Sequence, residues 1–281
     1  MIISSWNIRG LNDPIKQMEV RSYLAINKVE VLGLLETRVK SNKFDVISRT
    51  FPLYSIMNNY SHHYNGRIWV LWDNRKFTVL SSHVHDQLIH LELLHYISHE
   101  KIFVTFIYAS NDASHRERLW DELRGLASSV THWIVMGDFN IVREMDERIE
   151  PNPPPVSEIL AFNQCLLDCT LEDINSFGCE HTWTNKRESH DRVWSILDRV
   201  LTNPSWLVHY PSTHVQILPA GISDHSPLLV DIHETYVIRR KFSYLNCWEE
   251  HQNYRPTVQQ AWDIPVKGNQ MLKFFFQIEE C

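Results

Sequence analysis

Six short polar motifs, each at the end of an apolar run, are the parts of this chain best suited to chemistry. Each run has the length and composition of a buried strand, so its motif would lie at the edge of a sheet. Carboxylates, amides and one imidazole brought to a common edge are typical of a metal-assisted phosphodiester hydrolase. The motifs are Trp6-Asn7-Ile8, Leu35-Glu36-Thr37, Ile107-Tyr108-Ala109, Gly137-Asp138-Phe139-Asn140, Ser195-Ile196-Leu197-Asp198-Arg199 and Ser223-Asp224-His225-Ser226-Pro227.

The acidic motifs suggest a metal ligand and a base. Glu36 ends a nearly continuous apolar run, and a hard cation such as Mg²⁺ accepts one or two carboxylates together with water. Taken alone, such a glutamate is more often a solvated carboxylate at a strand end. Asp138 and Asn140 stand two residues apart, which predicts that they share one side of an extended segment. Asp138 would orient or deprotonate a water molecule while Asn140 donates to a phosphate oxygen, although Gly-Asp-x-Asn alone is a common turn.

The histidine motif predicts a cationic group that faces a phosphate. His225 lies between Gly221 and Pro227 on a constrained loop. With Asp198 as a carboxylate partner it would keep one tautomer, stay charged to higher pH and stabilise negative charge in the transition state. A surface Asp-His pair without a role is the alternative. Asn7 and Tyr108, each at a strand end, would add hydrogen bonds to the phosphate or to Glu36.

Strands alternate with a few helices around these motifs, which predicts an α/β fold. Many strands follow one another like hairpins, so we expect a four-layer sandwich in which two packed mixed β-sheets are flanked by helices. Helices are predicted from Asp13-Pro14 to Ile26, from Ser114 to Ala127, and over 157–168. Strands are predicted over 1–6, 29–35, 51–57, 67–72, 77–85, 88–95, 102–107, 133–136, 171–174, 181–184, 193–201, 214–218 and 228–232.

Composition restricts the choice of partner less than the motifs do. The 281 residues can bury a sizeable core, and their formal charge of −7 argues mildly against tight non-specific binding of DNA. Clustered active-site carboxylates raise the negative count, and a bound divalent cation would offset part of it. A nuclease is therefore still allowed.

The cysteines and the apolar runs bear on the compartment. Five cysteines without CxxC spacing indicate reduced thiols rather than a disulfide framework. No apolar run has transmembrane length, and the first residues do not resemble a signal peptide. We expect a nuclear or cytoplasmic protein with no membrane partner, and a monomer is favoured.

Taken together, these motifs resemble the endonuclease/exonuclease/phosphatase (DNase-I-like) superfamily. Within it, the chain is most similar to the apurinic-type endonuclease domain of plant LINE-type non-LTR retrotransposons. The resemblance covers residues 1 to about 232. It is carried by Trp6-Asn7-Ile8-Arg9-Gly10-Leu11-Asn12, Leu35-Glu36-Thr37-Arg38, Gly66-Arg67-Ile68-Trp69, Ile107-Tyr108-Ala109-Ser110, Gly137-Asp138-Phe139-Asn140, Thr182-Trp183-Thr184-Asn185, Leu197-Asp198-Arg199-Val200-Leu201 and Ile222-Ser223-Asp224-His225-Ser226-Pro227-Leu228.

The resemblance implies a role for each matching residue. It implies a Mg²⁺ site, with Mn²⁺ as an alternative, formed by Glu36, Asp224 and Asn7. It also implies a catalytic set of Asn7, Tyr108, Asp138, Asn140, Asp198 and His225. Arg9 is a departure, because the cellular repair enzymes carry an aspartate near the metal at this position.

The activity implied is a Mg²⁺-dependent endonuclease that nicks one DNA strand and leaves a 3′-hydroxyl. Two alternative hypotheses are a phosphatase of the same fold, acting on a small molecule or a phosphoinositide, and an inactive retrotransposon relic. The domain is expected to cover residues 1–235. Residues 236–281 form an irregular tail that resembles the linker to a reverse transcriptase, so the reading frame looks truncated.

Overall fold

The computed structural model describes residues 1–149, 154–187, 191–232 and 254–262. The chain divides into two compact units, Met1–Thr235 and Tyr236–Cys281. In the second unit the described part is one helix, Tyr254–Trp262. The basic residues 239–241 and the aromatic run 274–276 lie outside the described residues, so the interpretation of the tail as a linker stays a prediction.

The described residues contain six α-helices and sixteen strands. The helices are α1 (Pro14–Ile26), α2 (Phe44–Ser48), α3 (Ala113–Ala127), α4 (Val156–Asp168), α5 (Pro204–His209) and α6 (Tyr254–Trp262), with 3-10 turns at Ser41–Lys43 and Met145–Glu147. The strands are β1 (Ile2–Asn7), β2 (Val31–Leu35), β3 (Tyr54–Asn58), β4 (Ile68–Asp73), β5 (Phe77–Val84), β6 (Leu88–His95), β7 (Lys101–Tyr108), β8 (Trp133–Asp138), β9 (Arg148–Ile149), β10 (Glu172–Asp173), β11 (Ser176–Gly178), β12 (Trp183–Thr184), β13 (Trp194–Ser195), β14 (Asp198–Thr202), β15 (His214–Ile217) and β16 (Leu228–Asp231).

The strands form two large mixed sheets and one small one. The first sheet has seven strands in the order β11-β15-β16-β1-β2-β4-β3, and the second has six in the order β10-β14-β8-β7-β6-β5. The pairs β1–β2 and β7–β8 are parallel, whereas most other neighbours are antiparallel. The strands β12, β13 and β9 form a separate three-stranded sheet.

Apolar side chains on both faces of each large sheet produce four layers. The inner core lies between the sheets and includes Val31 and Val70 from the first and Val104 and Met136 from the second. At Gly33 a Cβ would stand 2.1 Å from the ring of Phe106, so the sheets approach too closely for any side chain there. The helices α1 and α2 cover the outer face of the first sheet, and α3 and α4 cover that of the second. This confirms the predicted sandwich of two mixed sheets flanked by helices.

Local signals explain where the main helices begin. Asp13 accepts a hydrogen bond from the Ile15 amide, and Pro14 occupies the first helical position of α1. Asp112 accepts from the amides of Ser114 and His115 at the start of α3. Among the described residues, no helix is both long and apolar enough to cross a bilayer.

Strand register brings the polar motifs to one edge of the sandwich. Asn7 pairs with Leu35 at the carboxyl ends of β1 and β2, directly before Glu36. Tyr108 pairs with Asp138 at the carboxyl ends of β7 and β8. The first residue of the antiparallel strand β14, Asp198, is also paired with Asp138.

Two predictions about this edge are wrong. Residues 193–201 do not form one strand, because the chain leaves the small sheet after β13 and enters the six-stranded sheet at Asp198. Asp198 therefore begins a strand instead of ending one, and it reaches the same edge because β14 is antiparallel to β8. Asp138 and Asn140 do not share an extended segment either, since Asn140 has a φ of 50°. The helices α2 and α5 and the short strands β9 and β11 were not predicted.

Candidate active site

A buried triad of Asp138, Asp198 and His225 forms the centre of the site. His225 Nδ1 lies 2.8 Å from Asp198 Oδ2, and its Nε2 lies 3.8 Å from Asp138 Oδ2. All three residues are almost completely buried. The first distance is a hydrogen bond, whereas the second is too long for one. His225 therefore has one fixed partner and one nitrogen directed towards Asp138.

Hydrogen bonds from neighbouring residues orient the two aspartates of the triad. Thr182 Oγ1 accepts from the amides of Leu197 and Asp198, which fixes the entry into β14. The amide of Asn140 donates to Asp138 Oδ1 at 3.0 Å, and Asn7 Nδ2 donates to Asp138 Oδ2 at 2.9 Å. Both Asp138 oxygens are therefore oriented by the protein.

The histidine loop is tied to β1. Ser223 Oγ donates to the Asn7 carbonyl at 2.6 Å, and Trp6 Nε1 donates to the His225 carbonyl at 3.1 Å. Because β1 also ends at Asn7, one strand aligns the amide and the imidazole against Asp138.

Burial and charge set the protonation of this triad. Burial raises the pKa of Asp138 to about 7, against the lowering effect of His225. Burial alone would lower the pKa of His225, but the carboxylates of Asp198 and Asp138 outweigh it and raise the pKa to about 9. At neutral pH the imidazole is protonated, and Asp138, with its raised pKa, is present partly as a carboxylate that is basic enough to accept a proton.

The triad has ligand atoms within 4.8 Å of one another, as a metal site would require. A cation there would have to displace the proton that His225 Nδ1 shares with Asp198, and the imidazolium would repel it. The geometry instead favours an ion pair in which Asp198 orients a protonated His225, with Nε2 of the imidazole directed towards Asp138.

The carboxylates predicted as metal ligands, Glu36 and Asp224, lie outside the triad and each has an arginine partner. Arg38 Nε donates to Glu36 Oε1 at 2.9 Å, and a second guanidinium nitrogen forms a salt bridge with the same oxygen. Arg9 forms a salt bridge with Asp224 Oδ2, which also accepts from Trp183 Nε1 at 3.1 Å. His225 and Arg9 outweigh the effect of burial and lower the pKa of Asp224.

By donor type, Glu36 and Asp224 suit a hard divalent cation, although the two residues line different cavities. Glu36 and Asp224 offer carboxylate oxygens, the ligand type that Mg²⁺ and Mn²⁺ accept, and each is balanced by positive charge in the protein. Asn7 fits less directly, because its Oδ1 accepts from the Arg9 amide at 3.0 Å and its Nδ2 is bonded to Asp138. Its oxygen keeps one lone pair, and its role as a ligand stays a prediction.

Tyr108 and Asn140 lie on the wall of the cleft above the triad. Burial, with the nearby carboxylates Glu36 and Asp138, raises the pKa of Tyr108, so its hydroxyl remains a hydrogen-bond donor. The Arg67 guanidinium carbon lies 5.7 Å from the centre of the Tyr108 ring. Asn140 Nδ2 donates to the Ala109 carbonyl at 2.7 Å, which joins the ends of β7 and β8 at the lining of the cleft.

An open cleft of about 550 Å³ contains most of these groups. Its lining includes Glu36, Tyr108, Asp138, Asn140 and His225. Four arginines also line it, namely Arg9, Arg38, Arg116 and Arg148. The cleft lining therefore combines four arginines with three acidic residues, Glu36, Asp138 and Glu158, and Arg116 is buried in a salt bridge with Glu158.

Backbone strain is concentrated in the cleft. Of the eight non-glycine residues with positive φ among those described, four line it: Arg9, Glu36, Arg38 and Asn140, with φ between 48° and 52°. The left-handed region is unfavourable for such residues, and strain of this kind is common at functional sites.

Several site residues were not given a role from the sequence. Trp183 packs its ring 6.2 Å from that of His225 and separates the cleft from a second cavity of about 580 Å³. Thr182, Arg116 and Arg148 were also missed, whereas Arg9 and Arg38 stand in the quoted motifs but were not predicted to pair with the carboxylates. The Thr-Trp-Thr-Asn motif was a usable signal for Trp183 and Thr182, because a tryptophan among small polar residues is unusual. Arg116 and Arg148 gave no signal, because an arginine outside a motif looks the same wherever it lies.

Comparison with known proteins identifies one matching family. A sequence model described as the Endonuclease/Exonuclease/phosphatase family matches residues 4–225. No curated protein gave a significant match.

Solved structures show the same fold at low identity. A Neisseria 3′ phosphatase, NExo, bound to a product DNA hairpin has a TM-score of 0.67 and 19% identity over 83% of this chain and 99% of its own. The endonuclease domain of TRAS1, a telomere-specific non-LTR retrotransposon, has a TM-score of 0.62 and 12% identity over 84% and 99%. D. rerio TDP2 in complex with a single-stranded DNA product has a TM-score of 0.59 and 13% identity over 82% and 97%.

Proposed function

Because the chain belongs to the endonuclease/exonuclease/phosphatase family, we propose that it is a divalent-metal-dependent DNA endonuclease that nicks one strand and leaves a 3′-hydroxyl. The observation that carries this proposal is the buried Asp138–His225–Asp198 triad opening into an arginine-lined cleft. We place the protein in the nucleus or cytoplasm, where such a substrate is available.

In this proposal each triad residue has one task. Asp138 orients a water molecule and accepts its proton, as its raised pKa allows. His225, held by Asp198, donates hydrogen bonds to the negative charge that grows on the phosphate oxygens. Tyr108 and Asn140 position the phosphate. A cation held by Glu36 and Asp224, when bound, would neutralise phosphate charge.

The cleft supports DNA as the partner. Arg9 and Arg38, each about half exposed, offer guanidinium groups suited to phosphate contacts, which supports an anionic substrate in spite of the net charge of −7. The names of three structures of the same fold refer to DNA or to a retrotransposon endonuclease, and this favours a nucleic acid over a small phosphate ester.

An origin in a LINE-type retrotransposon is part of the proposal. It is supported by the sequence motifs around Asn7, Glu36 and His225 and by the similarity in fold to the TRAS1 domain. The closeness to plant elements rests on the sequence motifs alone.

Nicking of supercoiled plasmid in Mg²⁺ tests the activity. We expect Asp138→Ala and His225→Ala to lower the rate by about 10²- to 10⁴-fold, because each removes a proton-transfer or charge-stabilising group. His209→Ala is the control, since His209 contacts Glu100 and the ring of His132 rather than the cleft. Nicking at the full rate in both site variants would contradict the assignment.

The reaction products distinguish a nicking endonuclease from an enzyme that processes DNA ends. The first of the similar structures is a DNA 3′ phosphatase, so a 3′-phosphate hairpin should be tested beside the plasmid. An endonuclease leaves nicks that a polymerase can extend, whereas a terminal phosphatase releases phosphate from the hairpin and leaves the plasmid intact. A panel of small phosphate esters tests the alternative phosphatase, and melting curves with and without Mg²⁺ identify an inactive relic that binds no metal.

A further inference from the structure

The two carboxylates proposed as metal ligands are already neutralised by arginines of the same chain. Glu36 is held by Arg38, and Asp224 is held by Arg9. The carboxylate side chains are 15% and 9% exposed, whereas those of Arg38 and Arg9 are 56% and 48% exposed. Glu36 lines the cleft and Asp224 lines the second cavity, and both arginine side chains are far more exposed than the carboxylates that they hold.

Both arginines also line the cleft in which we place the DNA. Each is therefore within reach of two kinds of anion, a protein carboxylate and a phosphate of the substrate. A guanidinium binds either one through the same paired geometry. The positive charge needed on Glu36 and Asp224 would then have to come from elsewhere once the arginines had turned to the substrate.

We propose that Arg9 and Arg38 are exchangeable counter-ions, which occupy the metal carboxylates in the free protein and transfer to DNA phosphates when cation and DNA bind together. The inference rests on the proposed function and adds a consequence to it. Each arginine competes with the cation but assists the DNA, so each ligand promotes binding of the other. By thermodynamic reciprocity, the factor by which DNA strengthens cation binding equals the factor by which the cation strengthens DNA binding.

Asp73 and Arg75 supply a matched control in the same chain. They have the same two-residue spacing as Glu36 and Arg38, with guanidinium nitrogens 2.8 and 2.7 Å from the carboxylate oxygens, and Arg75 is 63% exposed. Asp73 ends β4, whereas Ile68 begins β4 beside Leu35, so this pair lies at the other end of the strand from Glu36. It forms a comparable ion pair, and neither residue lines the cleft.

The experiment measures binding of Mn²⁺ without DNA, by calorimetry, for the wild type and for Arg9→Gln, Arg38→Gln, Arg75→Gln and Glu36→Gln. Circular dichroism first checks that each variant is folded. We expect Arg9→Gln and Arg38→Gln to bind Mn²⁺ about threefold to tenfold more tightly than the wild type, because a competing charge is removed. Arg75→Gln should match the wild type, and Glu36→Gln should bind more weakly.

A second measurement tests the exchange with DNA. Fluorescence anisotropy of a labelled duplex, with and without Mn²⁺, is recorded for Arg9→Gln, Arg38→Gln and Arg75→Gln in a His225→Ala background to suppress cleavage. With Mn²⁺ present, Arg9→Gln and Arg38→Gln should bind the duplex more weakly than Arg75→Gln, because each lacks a guanidinium that would transfer to a phosphate. The strengthening of DNA binding by Mn²⁺ should also shrink in them towards the value of one expected for independent ligands.

The outcomes separate this inference from the proposed function. If Glu36→Gln leaves Mn²⁺ binding unchanged, the metal site is wrong and the proposed function fails with it. If Glu36→Gln weakens binding but Arg9→Gln and Arg38→Gln behave like Arg75→Gln in both measurements, the metal site stands and the exchange of counter-ions is wrong.

Discussion

Two histidines, His225 in the site and His90 in the six-stranded sheet, are buried to nearly the same extent but have opposite electrostatics. They are 4% and 6% exposed. The pKa of His225 is raised to about 9, because Asp198 and Asp138 outweigh the effect of burial. The pKa of His90 is lowered to about 4, chiefly by burial and further by His83. Burial alone therefore gives a neutral histidine, and two carboxylates convert it to a cation.

The partners of His90 are those of a packing residue. Its Nδ1 lies 2.8 Å from Thr105 Oγ1, and its ring stacks on Phe103 with centroids 5.8 Å apart. The Thr105 hydroxyl can donate to a neutral imidazole while it accepts from Trp133 Nε1 at 2.8 Å. This environment holds the ring without charging it, so the carboxylates are what distinguish the site.

Asp198→Asn should have the largest effect on the difference between the two histidines, because it removes the nearer carboxylate from His225. We expect the pKa of His225 to fall and the nicking rate to drop by about 10²- to 10⁴-fold, since an amide neither fixes the tautomer nor stabilises the imidazolium. Histidine titration by NMR and single-turnover nicking would measure the two effects. Asp121→Asn, on the exposed face of α3, is the control. A His225 that still titrates near 9 in Asp198→Asn would show that Asp138 alone charges it.

The low pKa of His90 should also make the stability of the protein depend on pH. Its folded pKa of about 4 lies below the ordinary value of 6.5, so the unfolded chain takes up a proton first as the pH falls. The free energy of unfolding should therefore decrease between pH 8 and 4.5, by about 2 to 3 kcal/mol from this residue. Urea denaturation of His90→Gln should show a correspondingly smaller decrease. The exposed His115→Gln should follow the wild type, and an unchanged pH dependence in His90→Gln would contradict the prediction.

The smallest effect is expected from Thr105→Val. This variant leaves two buried nitrogens, those of His90 and Trp133, without the hydroxyl they share. The cost should be about 1 to 2 kcal/mol in the free energy of unfolding, with nicking per folded molecule unchanged. Thr105→Ser keeps the hydroxyl and should recover most of the loss. Equal stability of Thr105→Val and the wild type would mean that the hydroxyl is not needed to hold His90.

The positions of the chemical groups could be predicted from the sequence because strand ends are visible in it. Apolar runs that stop at Asn7, Glu36, Tyr108 and Asp138 indicate strands, and parallel pairing then places their ends at one edge. The Asp198–His225 pair also followed from residue type, since a loop histidine needs a carboxylate to stay charged. Whether these residues have the predicted catalytic and metal-binding roles stays a prediction.

The pairings inside the site could not be predicted in this way. Asn7 Nδ2 donates to Asp138 Oδ2 rather than to Glu36, and a contact between two strand ends of different sheets leaves no pattern in the sequence. Arginine partners depend on side-chain reach, which carries no periodic signal. Strands of two or three residues such as β9 and β11 leave no period either, and β13 and β14 merge into one apolar run although they belong to different sheets.

The four cleft residues with positive φ should decide how the protein responds to selection for stability in the laboratory. Glycine adopts that conformation without strain, so a screen that rewards heat resistance alone should enrich glycine at Arg9, Glu36, Arg38 and Asn140. Each gain in robustness would delete a guanidinium, carboxylate or amide from the cleft wall. Selection for durability would thus dismantle the working surface while leaving the sandwich intact.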